Sequence, residues 1–137
     1  MTAKEYLGQL RTLRAGIRAA EKRLAELKEM ATAMGTRELK QDVVQSSIKN
    51  KGMADAVVNY LDYERAIEVQ RKEYLDLKDE IVKKILRLDG RYAQLLLLRY
   101  GEDMRFEQIA EEMGYTYDWT RHLHGEALGL FEEEYLK

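Results

Sequence analysis

Ten apolar residues near the start of the chain recur at alternating gaps of three and four: Ala3, Tyr6, Leu10, Leu13, Ile17, Ala20, Leu24, Leu27, Ala31 and Met34. An α-helix lines such a series up as one stripe, and a seam of this period wraps against a partner helix in a left-handed coil. A helix over residues 2–34 is roughly 50 Å long at about 1.5 Å per residue, and it cannot bury its own stripe. The intervening Arg11, Arg14, Arg18, Glu21, Lys22, Arg23, Glu26 and Lys28 make a mixed, solvated face. A partner follows in the same chain. Met53, Ala56, Tyr60, Tyr63, Ile67, Gln70, Tyr74, Leu77, Ile81, Lys84 and Leu88 repeat the spacing, with Gln70 and Lys84 the polar exceptions and Ile85 beside Lys84. Two long consecutive helices pack most economically antiparallel. The three tyrosines are bulky for a tight pair; they suit small alanines opposite, or a bundle of more helices. Gln70 is expected to fix register.

Composition agrees with long, solvated helices: the chain has no Pro, and 35% of its residues are charged. Residues 35–52, bounded by Gly35 and Gly52, lack a sustained period and read as a loop with room for a short helical turn over residues 37–41. Arg37, Lys40, Lys49 and Lys51 outnumber Glu38 and Asp42 there. A solvated connector is the plainer reading; a tip touching phosphate, RNA or an acidic partner is the sharper one. With no Cys there is no disulfide framework and no thiolate metal site. No apolar run has the length of a signal peptide or a membrane span, so a soluble, cytoplasmic chain without a membrane partner is expected.

Past Leu88, Asp89 and Gly90 interrupt the long helix, and Asp89 can cap the next. Residues 91–100, RYAQLLLLRY, form a short helix whose four consecutive Leu need burial nearly all round, with residues 101–103 as its exit turn. Residues 104–131, MRFEQIAEEMGYTYDWTRHLHGEALGLF, then give two helices joined by a tight turn. Phe106, Ile109, Ala110 and Met113 share one face of the first. Gly114 can take the positive φ that ends a helix. Thr116 is suited to cap the second, with Asp118 in its first turn beside the positive end of the helix dipole. Thr120, Leu123, Ala127, Leu128 and Phe131 recur as its inward face. The fold class is therefore all-α: a long, coiled-coil-like antiparallel hairpin over residues 1–88, and a trihelical helix-turn-helix domain over residues 89–137.

Charge divides unevenly between these parts. Residues 89–137 hold five Lys/Arg and eleven Asp/Glu, a net −6. The remaining 18 basic and 14 acidic groups leave residues 1–88 at +4. A duplex-binding module usually carries the opposite sign, because phosphate neutralisation supplies much of its affinity.

Residues 91–128 resemble region four of bacterial sigma factors, the module that reads the upstream promoter element. Ile109-Ala110-Glu111, Gly114, Thr116, Arg121, Leu123 and Ala127-Leu128 fall in its register. The whole chain, including the N-terminal helices and residues 44–47, is similar to a family of small phage and prophage proteins akin to the RinA and ArpU type regulators of late phage genes. The resemblance implies a phage-encoded regulator in the bacterial host cytoplasm that binds double-stranded DNA, with RNA polymerase or another phage protein as partner. It also implies that Tyr117, Asp118, Arg121 and His122, just after the Thr116 cap, reach the major groove. There an Arg fork suits guanine O6 and N7, and a carboxylate accepts from a cytosine amino group. Tyr117 and Trp119 stand where the family usually has Arg, and rings at those places suit sugars or thymine methyls. The hairpin is expected to dimerise or to dock the module. The alternative reading is a protein-interaction or assembly module, or a small terminase-like packaging factor, that keeps the helix-turn-helix mainly as a fold.

No catalytic pattern is present: no Gly-rich phosphate loop, no HExxH, and no Ser or Cys in a nucleophile elbow. An enzyme and a cofactor are not expected. His122 and His124 lie about 200° apart around a helix, too far round to share a metal.

Overall fold

The computed structural model describes the backbone of residues 1–39 and 46–137, and the side chains of residues 1–33, 55 and 57–137. All regular structure among them is helical: α1 (Ala3–Leu39), α2 (Ser46–Ile85), α3 (Gly90–Leu96), a π-helical turn (Leu97–Gly101), α4 (Phe106–Met113) and α5 (Tyr117–Tyr135).

Parts of the loop expected over residues 35–52 are helical instead. α1 continues through Gly35 to Leu39, and α2 has already begun at Ser46, upstream of Gly52. A mid-helix Gly costs only about 1 kcal/mol relative to Ala, too little to stop a long helix, and no Pro removes a backbone donor. Residues 40–45 lie outside the described residues, as do the side chains of Arg37, Lys40, Lys49 and Lys51 and those of residues 44–47. At its other end α2 stops at Ile85, so Leu88 falls in a turn.

Packing groups the chain across residue 88. One compact unit joins Met1–Arg14 to Glu73–Lys137, and the other is Ala15–Lys72. The reason is burial: a three-helix body over residues 89–137 needs more apolar wall than it owns. Leu7, Leu10, Ile81 and Ile85, all within 1% of full burial, share one cluster with Leu95, Leu96, Ile109, Leu123, Ala127 and Phe131. Tyr6 stacks on Phe131 at 5.8 Å. Its hydroxyl donates to Glu80 Oε1 (2.9 Å), so the start of α1 meets the end of α2 and the pairing is antiparallel.

The exit of α3 is held from α1. Arg14 donates to the Gly101 carbonyl (2.7 Å) and to the Tyr74 hydroxyl. Arg11 Nε lies 2.7 Å from Asp103 Oδ1, in ionic contact but without hydrogen-bond alignment. Asp103 is the one non-Gly residue at positive φ (56°) among the described residues, and the neighbouring guanidinium helps hold it there. Leu95 and Leu96 are fully buried and Leu97 and Leu98 half-buried, as four consecutive Leu require.

In the second unit α1 and α2 again run antiparallel, with Arg71 Nη2 bonded to Glu21 Oε1 at 2.8 Å. Ile17, Leu27 and Ile67 are its buried apolar residues among those described. Tyr63, expected in the seam, is 39% exposed. Gln70 is half-buried, and its Oε1 has no hydrogen-bond partner among the described residues.

Candidate nucleic-acid interface

The surface of interest is set by how α4 ends and α5 begins. The Arg105 backbone N–H donates to Gln108 Oε1 (3.0 Å) and starts α4. Gly114, at φ 72° and ψ 31°, stops it. The Tyr115 N–H then reaches back to the Ala110 carbonyl (2.9 Å) and the Gly114 N–H to Glu111 (3.3 Å), the paired bonds of a Schellman stop. Two residues later Thr116 takes an extended backbone, and its hydroxyl accepts from the Trp119 N–H at 3.1 Å. Thr120, fully buried, donates to the Thr116 carbonyl at 2.8 Å, so a polar side chain in the core is satisfied locally. This geometry is what fixes which way the first turn of α5 faces.

Thr120, Leu123, Ala127 and Phe131 point into the core, as their spacing predicts. Thr116, Asp118, Arg121 and His122 are exposed, and Tyr117 and Trp119 are 40% and 42% exposed. All six residues singled out from the sequence thus share one solvent-facing end of α5. Three ring contacts order them. The Arg121 guanidinium lies 5.8 Å from the Tyr117 ring and 6.0 Å from that of Phe106. The Trp119 and His122 rings stack at 5.2 Å.

Three residues that the sequence reading passed over tie this face to α3. His122 Nε2 lies 2.9 Å from Glu126 Oε1. The Tyr92 hydroxyl donates to Glu126 Oε2 (2.8 Å), and Arg91 donates to the Tyr92 oxygen (3.1 Å). The Tyr92 bond, with His122 and Arg91 close by, holds the Glu126 carboxyl below its ordinary range. The one signal in the sequence was the four-residue step from His122 to Glu126.

His124 lies on the other side of the helix, beneath the face. Its Nε2 is 2.9 Å from the Tyr100 hydroxyl, and its ring meets the edge of Phe106 at 4.9 Å. Burial, together with the cations Arg99, Lys4 and Arg121, pushes its pKa down from 6.5 to about 4, so it is neutral near pH 7. The Arg99 guanidinium covers Phe106 at 4.3 Å and is itself lowered by burial. Phe106 is therefore wedged between two arginines and a histidine that carries no charge.

Chemically the face offers planar rings, one guanidinium fork and one carboxylate. Exposed cations on the same unit after residue 89 are few: Arg91, Arg105, Arg121 and the terminal Lys137, against Glu107, Glu111 and Glu112 exposed on α4. Among the described residues no group of three His, Asp or Glu could hold a metal ion, and no helix is long and apolar enough to cross a membrane. Comparison with known proteins finds no matching family model, no matching curated protein and no matching solved structure.

Proposed function

We propose that the chain is a DNA-binding transcription regulator of the phage type, in which residues 116–122 at the start of α5 enter the major groove as a sigma-region-four-like helix-turn-helix. The observation that carries this reading is the capped first turn of α5, with Tyr117, Asp118, Trp119, Arg121 and His122 all open to solvent. A recognition helix reads bases with its N-terminal side chains, and a tight turn after α4 leaves that end clear. Arg121 is the base reader, bidentate to guanine; Asp118 accepts from cytosine; Tyr117 and Trp119 pack on sugars or thymine methyls. The −6 balance of residues 89–137 keeps phosphate attraction low, so RNA polymerase or a second DNA-bound protein supplies the rest of the affinity.

The test is enrichment of bound duplexes from a random-sequence pool at low salt, with the wild-type chain and with Arg121→Ala. The expected outcome is a recurring motif whose guanine preference at one position relaxes in the variant. No motif from the wild-type chain, with or without polymerase, ends the DNA-reading proposal.

One specific observation favours a second reading, a protein-docking module. Two large rings, Tyr117 and Trp119, stand exposed on an acidic unit, and exposed aromatics are common anchors of protein interfaces. Arg121→Ala separates the two: loss of a captured partner with DNA affinity unchanged favours docking.

A further inference from the structure

The unit Ala15–Lys72 covers its apolar residues poorly. Among the described residues it buries Ile17, Leu27 and Ile67, while Met30, Val57, Val58, Leu61, Tyr63 and Val69 are each at least 39% exposed. Several of these are not scattered. On the side of α2 opposite Ile67, a second series runs at gaps of three and four: Asp55, Val58, Asp62, Arg65, Val69 and Lys72, with Leu61 flanking it. All six are exposed, and none of the four charged members has an ion-pair partner among the described residues.

We infer that this second seam of α2 pairs with the same seam of another copy of the chain, as an antiparallel twofold dimer. The argument is its self-complementarity. In an antiparallel coil each a position faces a d position of the partner, and twofold symmetry makes every such layer occur twice. Centred between Tyr63 and Glu64, the seam puts Val58 against Val69 of the second copy. In the same register Asp62 meets Arg65 and Asp55 meets Lys72. Every layer is then apolar on apolar or acid on base. The opposite choice, two copies side by side in parallel, would set Asp62 on Asp62 and Arg65 on Arg65, which like-charge repulsion disfavours. The charged layers give the pairing its direction, and the two valine layers with Leu61 give it apolar area. Association is consequently salt-sensitive and modest in affinity.

The inference does not depend on DNA reading, and its test contains no DNA. Sedimentation equilibrium of the full chain at low salt is expected to give a monomer–dimer equilibrium that weakens as salt is added. Asp62→Arg, or Arg65→Asp, places like charges across the central layers and is expected to weaken dimerisation about tenfold or more. The double swap Asp62→Arg with Arg65→Asp restores opposite charges in the same register and is expected to recover the dimer. Circular dichroism checks that each variant keeps its helices, since these positions are exposed. A wild-type monomer at every concentration overturns the inference. So does a dimer indifferent to Asp62→Arg, a double swap no better than the single changes, or an assembly larger than two.

Discussion

His124 gives the fold a pH dependence that can be worked from its surroundings. Its ring is packed between Tyr100 and Phe106, with Arg99, Lys4 and Arg121 as nearby cations, and its pKa falls from 6.5 to about 4. Between those values the unfolded chain binds the proton and the folded chain does not, so stability rises with pH across the window and is lost as pH falls through it. At about 1.36 kcal/mol per unit the full shift corresponds to about 3 kcal/mol. Going from pH 7.5 to pH 5 crosses most of the window and would remove about 2 kcal/mol; the ring keeps some solvent contact, and screening reduces this to about 1 kcal/mol. Urea unfolding followed by circular dichroism reads the change directly. With a slope of about 1–2 kcal/mol/M for a chain of this size, the midpoint is expected to drop by about 0.5–1 M. His124→Gln, which cannot take up the proton, is expected to lose most of that pH dependence. Equal midpoints at the two pH values in the wild-type chain, or the same drop in His124→Gln, would refute the reasoning.

Thr116→Ala removes the acceptor for the Trp119 N–H and is expected to cost about 1 kcal/mol of stability by urea midpoint. Thr116→Ser keeps the cap and is expected to recover most of it. Gln70→Leu replaces a buried amide oxygen that has no partner among the described residues with an apolar side chain and is expected to stabilise by about 1 kcal/mol; a loss of stability would show that the amide has a partner. For duplex binding, Arg91, Arg105 and Arg121 are the exposed cations after residue 89 near the proposed face, and exposed Lys4 lies close to His124 beneath it, so log affinity against log salt is expected to fall with a slope no steeper than about −4. A slope near −6 or beyond, measured by fluorescence anisotropy, would place the contacts on the more basic residues 1–88 instead.

Much of the inward pattern could be read from periodicity alone. Of the α1 series, Ala3, Leu10, Ile17 and Leu27 are buried, and Tyr6, Leu13, Ala20, Leu24 and Ala31 are half-buried. The stop at Gly114, the cap at Thr116 and the inward set on α5 followed from local chemistry, which needs only neighbouring residues to be right. What escaped depends on residues far apart in the chain. The segments flanking residues 40–45 are helical in backbone yet lack a clear apolar period, so periodicity has no stripe to read there. The π-helical turn at residues 97–101 carries no local mark; part of its support is Arg14, which takes the Gly101 carbonyl from α1. The compact unit likewise crosses the expected boundary because Ala3, Leu7, Leu10, Ile81 and Ile85 complete a core whose other buried members lie after residue 92. At the candidate site, exposure of the six residues was foreseeable from the inward set, whereas the Arg91–Tyr92–Glu126 bracing was not.

Trp119 is the only tryptophan in the chain, and it stands 42% exposed within the proposed reading face, so its emission reports on that face alone. Titrating the full chain with random-sequence duplex DNA at low salt, while labelled duplex in a parallel series reports binding by anisotropy, is therefore the most direct measurement. Emission that is quenched along the same isotherm as the anisotropy, and recovers when salt displaces the DNA, is the predicted result. Duplex that binds while Trp119 emission stays unchanged, or that does not bind at all, would contradict the account.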